Sequence, residues 1–315
     1  MKSQFANLKV GTLLLASRPA FLIASISPVL VGTAMGFADD GSFQLVYFVL
    51  AMIAIMLLHA GANLANDYFD HVSQNDWLNR NPTPFSGGSR YIQNGILSPQ
   101  VILVTAVVFL AAGALTGVAI VIMSRNVFIL LVGIAGLLGG FFYTAPPVKL
   151  GYRCFGEIAI VLLFGLLPVY GAYYLQTASV EIMVLPAGCI VGVLIFLVIL
   201  VNEFADLEAD SAVGKNTLVV LVGVRRCVWI YRIVLTVGYV LAAAMLLNRR
   251  MFFAGLFFLF TAPVAVAAVR AANAKHLTIA GSCRAARITI LLHALGTIAL
   301  TAGFIVSAVL ETGIR

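Results

Sequence analysis

Long apolar runs separated by short polar stretches set the organisation of this chain. Nine runs stand out, at about 20–38, 45–69, 99–123, 126–144, 155–177, 182–204, 226–247, 251–271 and 286–309. Each approaches or exceeds the ~20 residues with which an α-helix crosses a ~30 Å hydrocarbon layer. The pattern predicts an all-α membrane protein of nine transmembrane helices.

Two of these runs end in carboxylates. The second is uncharged from Leu45 to Ala62 and then reads NLANDYFDHVSQND, Asn63 to Asp76. On a helix Asn63 stacks on Asp67 and Asn66 on Asp70, with His59 one turn before Asn63, so the polar groups form one stripe. A charged carboxylate placed in hydrocarbon costs ~2.5–3.5 kcal/mol on the lenient insertion scale, and two such groups three residues apart also repel. A cation between them removes both problems. Oxygen-only ligands suit a hard ion such as Mg²⁺, which commonly arrives with a phosphate. The sixth run ends in NEFADLEAD, where Asn202, Asp206 and Asp210 share one face and Glu203 and Glu208 fall off it. Four spans separate the two motifs, so both emerge on the same side.

Composition agrees with this picture. The chain is 62% hydrophobic and 10% charged, with a mean hydropathy of +1.07, which excludes a soluble globular protein. The four cysteines are scattered without a CxxC pair and read as free packing thiols. The first residues show no cleavable signal pattern. The net charge of +7 does not call for nucleic acid, because Lys and Arg mark cytoplasmic loops in membrane proteins. Fourteen of them (Lys2, Lys9, Arg18, Arg80, Arg90, Lys149, Arg153, Lys215, Arg225, Arg226, Arg270, Lys275, Arg284, Arg287) fall on the side of the N-terminus and of the loops after runs two, four, six and eight. Four (Arg125, Arg249, Arg250, Arg315) fall on the other side, and Arg232 lies inside a run. The bias places the N-terminus and both acidic motifs in the cytoplasm and the C-terminus opposite.

Three readings of the acidic motifs compete: solvated helix ends, a transporter's ion site, or paired Mg²⁺ sites for a diphosphate. Matched Asn and Asp spacing in two places disfavours the first. Acids at one face rather than at the midplane, with span interiors nearly free of charge, disfavour the second. The third requires cations nearby, and they are present: Arg90 beyond Gly87-Gly88, Lys149 and Arg153 in YTAPPVKLGYR, and Lys215 in GKNTL.

The stretches NDYFDHVSQND, GGSRYIQNGILSP, YTAPPVKLGYRCFGE and NEFADLEADSAVGKNTLVVLVG, in this order, resemble the UbiA superfamily of intramembrane prenyltransferases. The resemblance covers nearly the whole chain. Within the superfamily, R-x-x-Q-x-G, GYR and GKNTLVV are most similar to the MenA-type branch, which prenylates 1,4-dihydroxy-2-naphthoate in menaquinone synthesis. Many members carry a third Asp four residues after Asp70. Gln74 stands there in this chain, with Asp76 two residues on, which again resembles the MenA type and leaves open whether Asp76 meets metal.

The resemblance implies helices around a central cavity, in a single domain over 1–315 with cytoplasmic cap loops at about 70–98 and 205–225. It implies Mg²⁺-dependent transfer of a polyprenyl group from polyprenyl diphosphate to an aromatic acceptor, with no obligate protein partner. Asp67 and Asp70 would hold one Mg²⁺ with Asn63 and Asn66, and Asp206 and Asp210 the other with Asn202. Arg90, Lys149, Arg153 and Lys215 would grip the diphosphate. Tyr143 and Tyr152 would face the allyl cation, or else belong to the interfacial aromatic belt. His59 reads as a helix–helix hydrogen bond and Glu157 as a complement to its own helix dipole. Other UbiA acceptors (4-hydroxybenzoate, homogentisate, a chlorophyll precursor, a glycerol lipid), a prenyl cyclase and a transporter remain as alternatives.

Overall fold

The computed structural model describes residues 10–273 and 279–312. Lys2, Lys9, Lys275 and Arg315 of the charge count lie outside them. The described chain is almost wholly helical: α1 (Val10–Ala16), α2 (Ile23–Asp40, entered through a 3₁₀ turn at Pro19–Leu22), α3 (Leu45–Val72), α4 (Asn75–Leu78), α5 (Pro99–Ser124), α6 (Val127–Phe141), α7 (Gly156–Thr177, with a π-helical turn at Leu162–Leu166), α8 (Val184–Ala212), α9 (Leu218–Val222), α10 (Val224–Met245), α11 (Phe252–Leu259), α12 (Ala262–Ala271) and α13 (Ile279–Thr312).

Seven helices among the described residues are long and apolar enough to cross a membrane, and α11 with α12 makes an eighth, bent by 46°. Thr261 and Pro263 sit at that bend. Pro lacks the N–H that would continue the ladder, so the run expected at 251–271 breaks there. The run expected at 126–144 is the 15-residue α6. At 1.5 Å per residue it spans only ~22 Å, so nine full-length spans are not what the structure shows. Outward-facing side chains such as Leu115, Ile122, Val127 and Ile233 form the apolar surface that an integral, multi-pass membrane protein presents to lipid.

Packing follows the small residues. A Cβ on Gly32 would lie 2.2 Å from the Val169 carbonyl oxygen, and one on Gly36 would lie 2.6 Å from the Gln176 Cβ, so α2 and α7 touch along their backbones. The central element is α8: 67% of its apolar window is buried, against 22% for α3 and α5. Leu194, Leu197, Leu200 and Val201 of α8 sit in the main core with Tyr231, Phe258 and Leu292 of the later helices. Arg250 pairs with Asp39 at 3.8 Å, and Asp39 also accepts from the Tyr173 hydroxyl at 2.8 Å. Arg232, within α10, stacks on Trp229 at 4.9 Å.

Both acidic motifs occupy the same end of the bundle because α3 and α8 each run past the apolar layer before stopping. After α3, Ser73 closes the helix and Gln74 takes a left-handed φ of 68°. That turn throws the chain back over the bundle end, where α4 and residues 79–98 lie. Residues 142–155 and 213–217 occupy the same end and join through the Asn216 N–H, which donates to the Tyr152 carbonyl at 3.2 Å.

Candidate active site

The polar stripe of α3 faces inward. Asp67 and Asp70 are each 2% exposed, and the end of α8 brings Asp206 and the buried Asp210 opposite them. Each carboxylate has a polar partner. The Ser89 N–H donates to both Asp67 oxygens at 3.2 Å. Asp70 accepts from Asn66 at 3.1 Å and from the Tyr152 hydroxyl at 2.7 Å. Asn75 donates to Asp210 at 2.9 Å and Asn79 to Asp206 at 2.7 Å. The first motif is therefore braced to the second by Asn75 and Asn79, at the start and just past the end of the short α4. The Lys215 ammonium lies between them, 3.4 Å from Asp70 and 3.4 Å from Asp210. These carboxylates hold its proton and keep the lysine well above its ordinary pKa despite burial.

Asn66, Asp70, Asn75, Asp206, Asp210 and Lys215 line a cavity of about 400 Å³, whereas Asp67, expected to share a metal with Asp70, is buried and held by Ser89 outside that lining. Of the residues singled out by sequence, Asn63, Asn66, Asp70, Tyr143, Asn202, Asp206, Asp210 and Lys215 line it. Asp76 joins them, because the Gln74 turn re-aims the chain after α3. Gln74 itself is exposed. Asn63 is also a tether, donating to the Ser17 carbonyl at 3.0 Å.

Other expected site residues stand apart from the cavity lining. Arg153 is exposed and donates to the Pro147 carbonyl at 2.9 Å. Lys149 stacks over the Tyr152 ring at 4.9 Å. Tyr152 offers its hydroxyl to Asp70 rather than its face to the cavity. Arg90 binds the Asp76 carbonyl, clamping the loop behind the first motif. Gly88, at φ 73°, lies against Asp76 so closely that a Cβ would sit 2.4 Å from its carboxylate, so only glycine fits there. Glu157 does not simply complement its own helix. Its carboxylate accepts from the Leu218 N–H at 2.6 Å and so fixes the start of α9 beside Lys215. His59 makes the expected helix–helix bond, 2.7 Å from Ser25.

Sequence reasoning missed Asn75, Asn79, Ser89, Arg18, Glu203 and His293. Arg18, counted only toward the charge bias, lines the cavity and donates to the Phe85 carbonyl at 3.3 Å. Glu203, assigned off the acidic face, also lines it. Glu208 is exposed as expected.

A second, apolar cavity of about 240 Å³ lies between α2, α3, α5, α6 and α7. The two share His59, Ala62, Gly140, Leu163 and Phe164 as walls. Leu163 and Phe164 belong to the π-helical turn of α7, a local widening of the kind that recurs at functional sites. A chamber that carries the carboxylates thus shares a wall with a greasy one.

Two expectations arise here. Glu157→Leu removes the acceptor for the Leu218 N–H, a contact comparable to a helix cap at ~1 kcal/mol. It is expected to raise the KM for a diphosphate substrate several-fold through Lys215, with Glu157→Gln restoring most of the loss in steady-state kinetics. Asp76 is pushed up to about 8, by burial first and then by the Asp70 and Asp67 carboxylates. Between the ordinary carboxyl range and pH 8 the folded state holds a proton that the unfolded chain has lost, so stability falls as pH rises through that window. In chelator, the melting temperature is expected to drop from pH 5 to pH 8.5, and Asp76→Asn to lessen the drop.

The chain and its fold match known proteins. The UbiA prenyltransferase family matches residues 25–293, so the chain belongs to that family and is a prenyltransferase. It is 32% identical over 213 residues to the 1,4-dihydroxy-2-naphthoate octaprenyltransferase of Haemophilus influenzae, covering 66% of this chain and 68% of that one. It is 30% identical over 233 residues to the enzyme of the same name from Mycobacterium tuberculosis, covering 73% and 76%. Its fold matches that of a UbiA homologue from Archaeoglobus fulgidus bound to DMAPP and Mg²⁺, with a TM-score of 0.63 at 19% identity over 91% of this chain and 98% of that one.

Proposed function

We propose that the polar chamber binds the diphosphate of a polyprenyl donor through Mg²⁺ and that the chain transfers the prenyl group to 1,4-dihydroxy-2-naphthoate. The observation that carries this reading is the convergence of two carboxylate-bearing helix ends on one chamber that shares a wall with an apolar one. Among the described residues no three His, Cys, Asp or Glu side chains form a ready-made metal cage. Mg²⁺ is commonly held by one or two carboxylates while substrate phosphates and water complete its shell. The Lys215 ammonium already stands between Asp70 and Asp210, where positive charge is favoured.

Asp67 and Asp70 would hold one ion with Asn63 and Asn66, and Asp206 and Asp210 the second with Asn202. When bound, Mg²⁺ supplies positive charge to the diphosphate as the allylic C–O bond breaks. Lys215 offers a direct cation to the same group. Arg90 acts at one remove, through Asp76. Arg153 and Lys149 shape the loop that carries Tyr152 and contribute less than their place in the motif suggests. Tyr143, packed against Gly151 and Gly156, presents its ring to an allyl cation from a fixed position.

The C–O electron pair leaves with the diphosphate, and the acceptor carbon that bears the carboxylate forms the new C–C bond. That carboxylate then departs as CO₂ and returns its electron pair to the ring. Residues 70–98 and 205–225, as caps on the cytoplasmic face, keep water from the cation. The lipid-like chain lies in the apolar chamber, toward the membrane interior.

An acceptor panel tests the assignment. Geranylgeranyl diphosphate and Mg²⁺ are supplied with 1,4-dihydroxy-2-naphthoate, 4-hydroxybenzoate or homogentisate, and products are read by mass spectrometry. A prenylated, decarboxylated naphthoquinol is expected. A product from another ring reassigns the acceptor, and no product with any ring, without Mg²⁺-dependent diphosphate release, points to transport. For the apolar chamber, Gly133 has no atom within 4 Å of an added Cβ, so a larger side chain would enter open space. Gly133→Phe is expected to lower kcat/KM for geranylgeranyl diphosphate by about 10–100-fold and to spare dimethylallyl diphosphate.

A further inference from the structure

Eight buried side-chain polar atoms among the described residues make no hydrogen bond, and four of them belong to residues lining the same polar chamber: Asn202 Oδ1, Glu203 Oε2, Thr217 Oγ1 and His293 Nε2. Asn202, Glu203 and His293 are 8%, 6% and 1% exposed. They come from three elements, the end of α8, the entry to α9 and the middle of α13, so no local turn explains them. Buried polar atoms are normally paired, and unpaired ones gathered in one cavity mark a place that a ligand completes. Thr217 precedes Leu218, whose N–H donates to Glu157, so the backbone that carries Thr217 is fixed before any ligand arrives.

The chemistry of the set restricts the ligand. The diphosphate, whose oxygens only accept, brings the Glu203 oxygen no hydrogen, and the prenyl chain offers these atoms nothing. Carboxyl and amide oxygens accept hydrogen bonds, so the ligand must bring O–H donors, while threonine and histidine can take either part. The same wall carries Ile195, Val198, Ile290 and Phe164, which suit the faces of a ring.

We infer that Glu203, Thr217 and His293 form the recognition site for the hydroxyl groups of the aromatic acceptor, beside the metal-facing Asn202, with Glu203 as the residue that selects a dihydroxylated ring. The inference rests on the prenyl-transfer reading for its choice of ligand.

The test measures binding and turnover separately. Protein in nanodiscs with Mg²⁺ and a non-hydrolysable thiolodiphosphate donor analogue is titrated by calorimetry with 1,4-dihydroxy-2-naphthoate, under reductant, and with 1-hydroxy-2-naphthoate, which lacks the second hydroxyl. Wild type is expected to prefer the diol by about 10-fold or more. Glu203→Leu and His293→Phe are each expected to shrink that preference to within about 3-fold, with donor affinity unchanged and Glu203→Gln recovering part of it. The same preference in both variants as in wild type overturns the inference, as does a loss of donor affinity equal to the loss of diol affinity. If wild type binds and discriminates as expected but transfers no prenyl group, the recognition site stands and the transfer reading falls. If wild type transfers prenyl to the diol while the variants still discriminate, the transfer reading stands and the recognition site falls. Wild type that binds neither naphthol also overturns the recognition site.

Discussion

Asp67→Asn and Asp206→Asn are each expected to cut turnover by about 10²–10³-fold or more while the melting temperature holds steady or rises. The two effects part because the carboxylates serve charge rather than packing. Asparagine has the size of aspartate and keeps an oxygen, so the bond from Asn79 to position 206, 2.7 Å long, can persist, as can one of the two from Ser89 to position 67. Removing the negative charge also relieves the desolvation penalty of a buried carboxylate in a site crowded with others. A purely structural pair would behave the opposite way, losing stability and activity together. Circular dichroism melts and product formation on the same preparations separate the cases.

Chelation is expected to have a still larger effect. With EDTA, turnover should fall by more than about 10³-fold, and Mg²⁺ should restore it. The physical reason is electrostatic. Asp70, Asp76, Asp206 and Asp210 line one chamber, Asp67 is buried about one helical turn before Asp70, and the Lys215 ammonium bridges Asp70 and Asp210. A diphosphate entering such a field without divalent cations is repelled at close range and in a poorly screened interior. Ca²⁺, larger and less demanding of octahedral geometry, should restore less than Mg²⁺. Donor binding by calorimetry, with and without the metal, shows whether the loss lies in binding or in the chemical step.

Much of this site was legible in the sequence because carboxylates in an apolar run are costly and therefore conspicuous. The spacings of Asn63 with Asp67, Asn66 with Asp70, and Asn202 with Asp206 and Asp210 gave the helical face directly. The residues that brace them were not legible. Asn75 and Asn79 reach across to α8 only because Gln74 turns the chain back, and nothing local announces a left-handed glutamine. Cations were ambiguous for a different reason: a base that anchors a loop and a base that meets a ligand look alike in a positive-inside loop. Hence Arg153 proves exposed while Arg18 lines the chamber. Glu203 falls off the face shared by Asn202, Asp206 and Asp210, which hides its place in the chamber, and His293 sits in a long apolar run where periodicity cannot tell a lipid-facing position from a cavity-facing one. The bend at Thr261 and the short α6 escaped for the same reason, since uniform hydropathy sets the length of a run and not the shape of its helix.

The most direct measurement of the central claim is a single-turnover reaction of the purified protein in nanodiscs with geranylgeranyl diphosphate and 1,4-dihydroxy-2-naphthoate, run with Mg²⁺ and with EDTA. Inorganic diphosphate and prenylated product are followed in the same samples. The account predicts one diphosphate released per prenylated, decarboxylated ring, only with Mg²⁺, and neither species from Asp206→Asn. Equal product with and without divalent metal, or full activity in that variant, would contradict it.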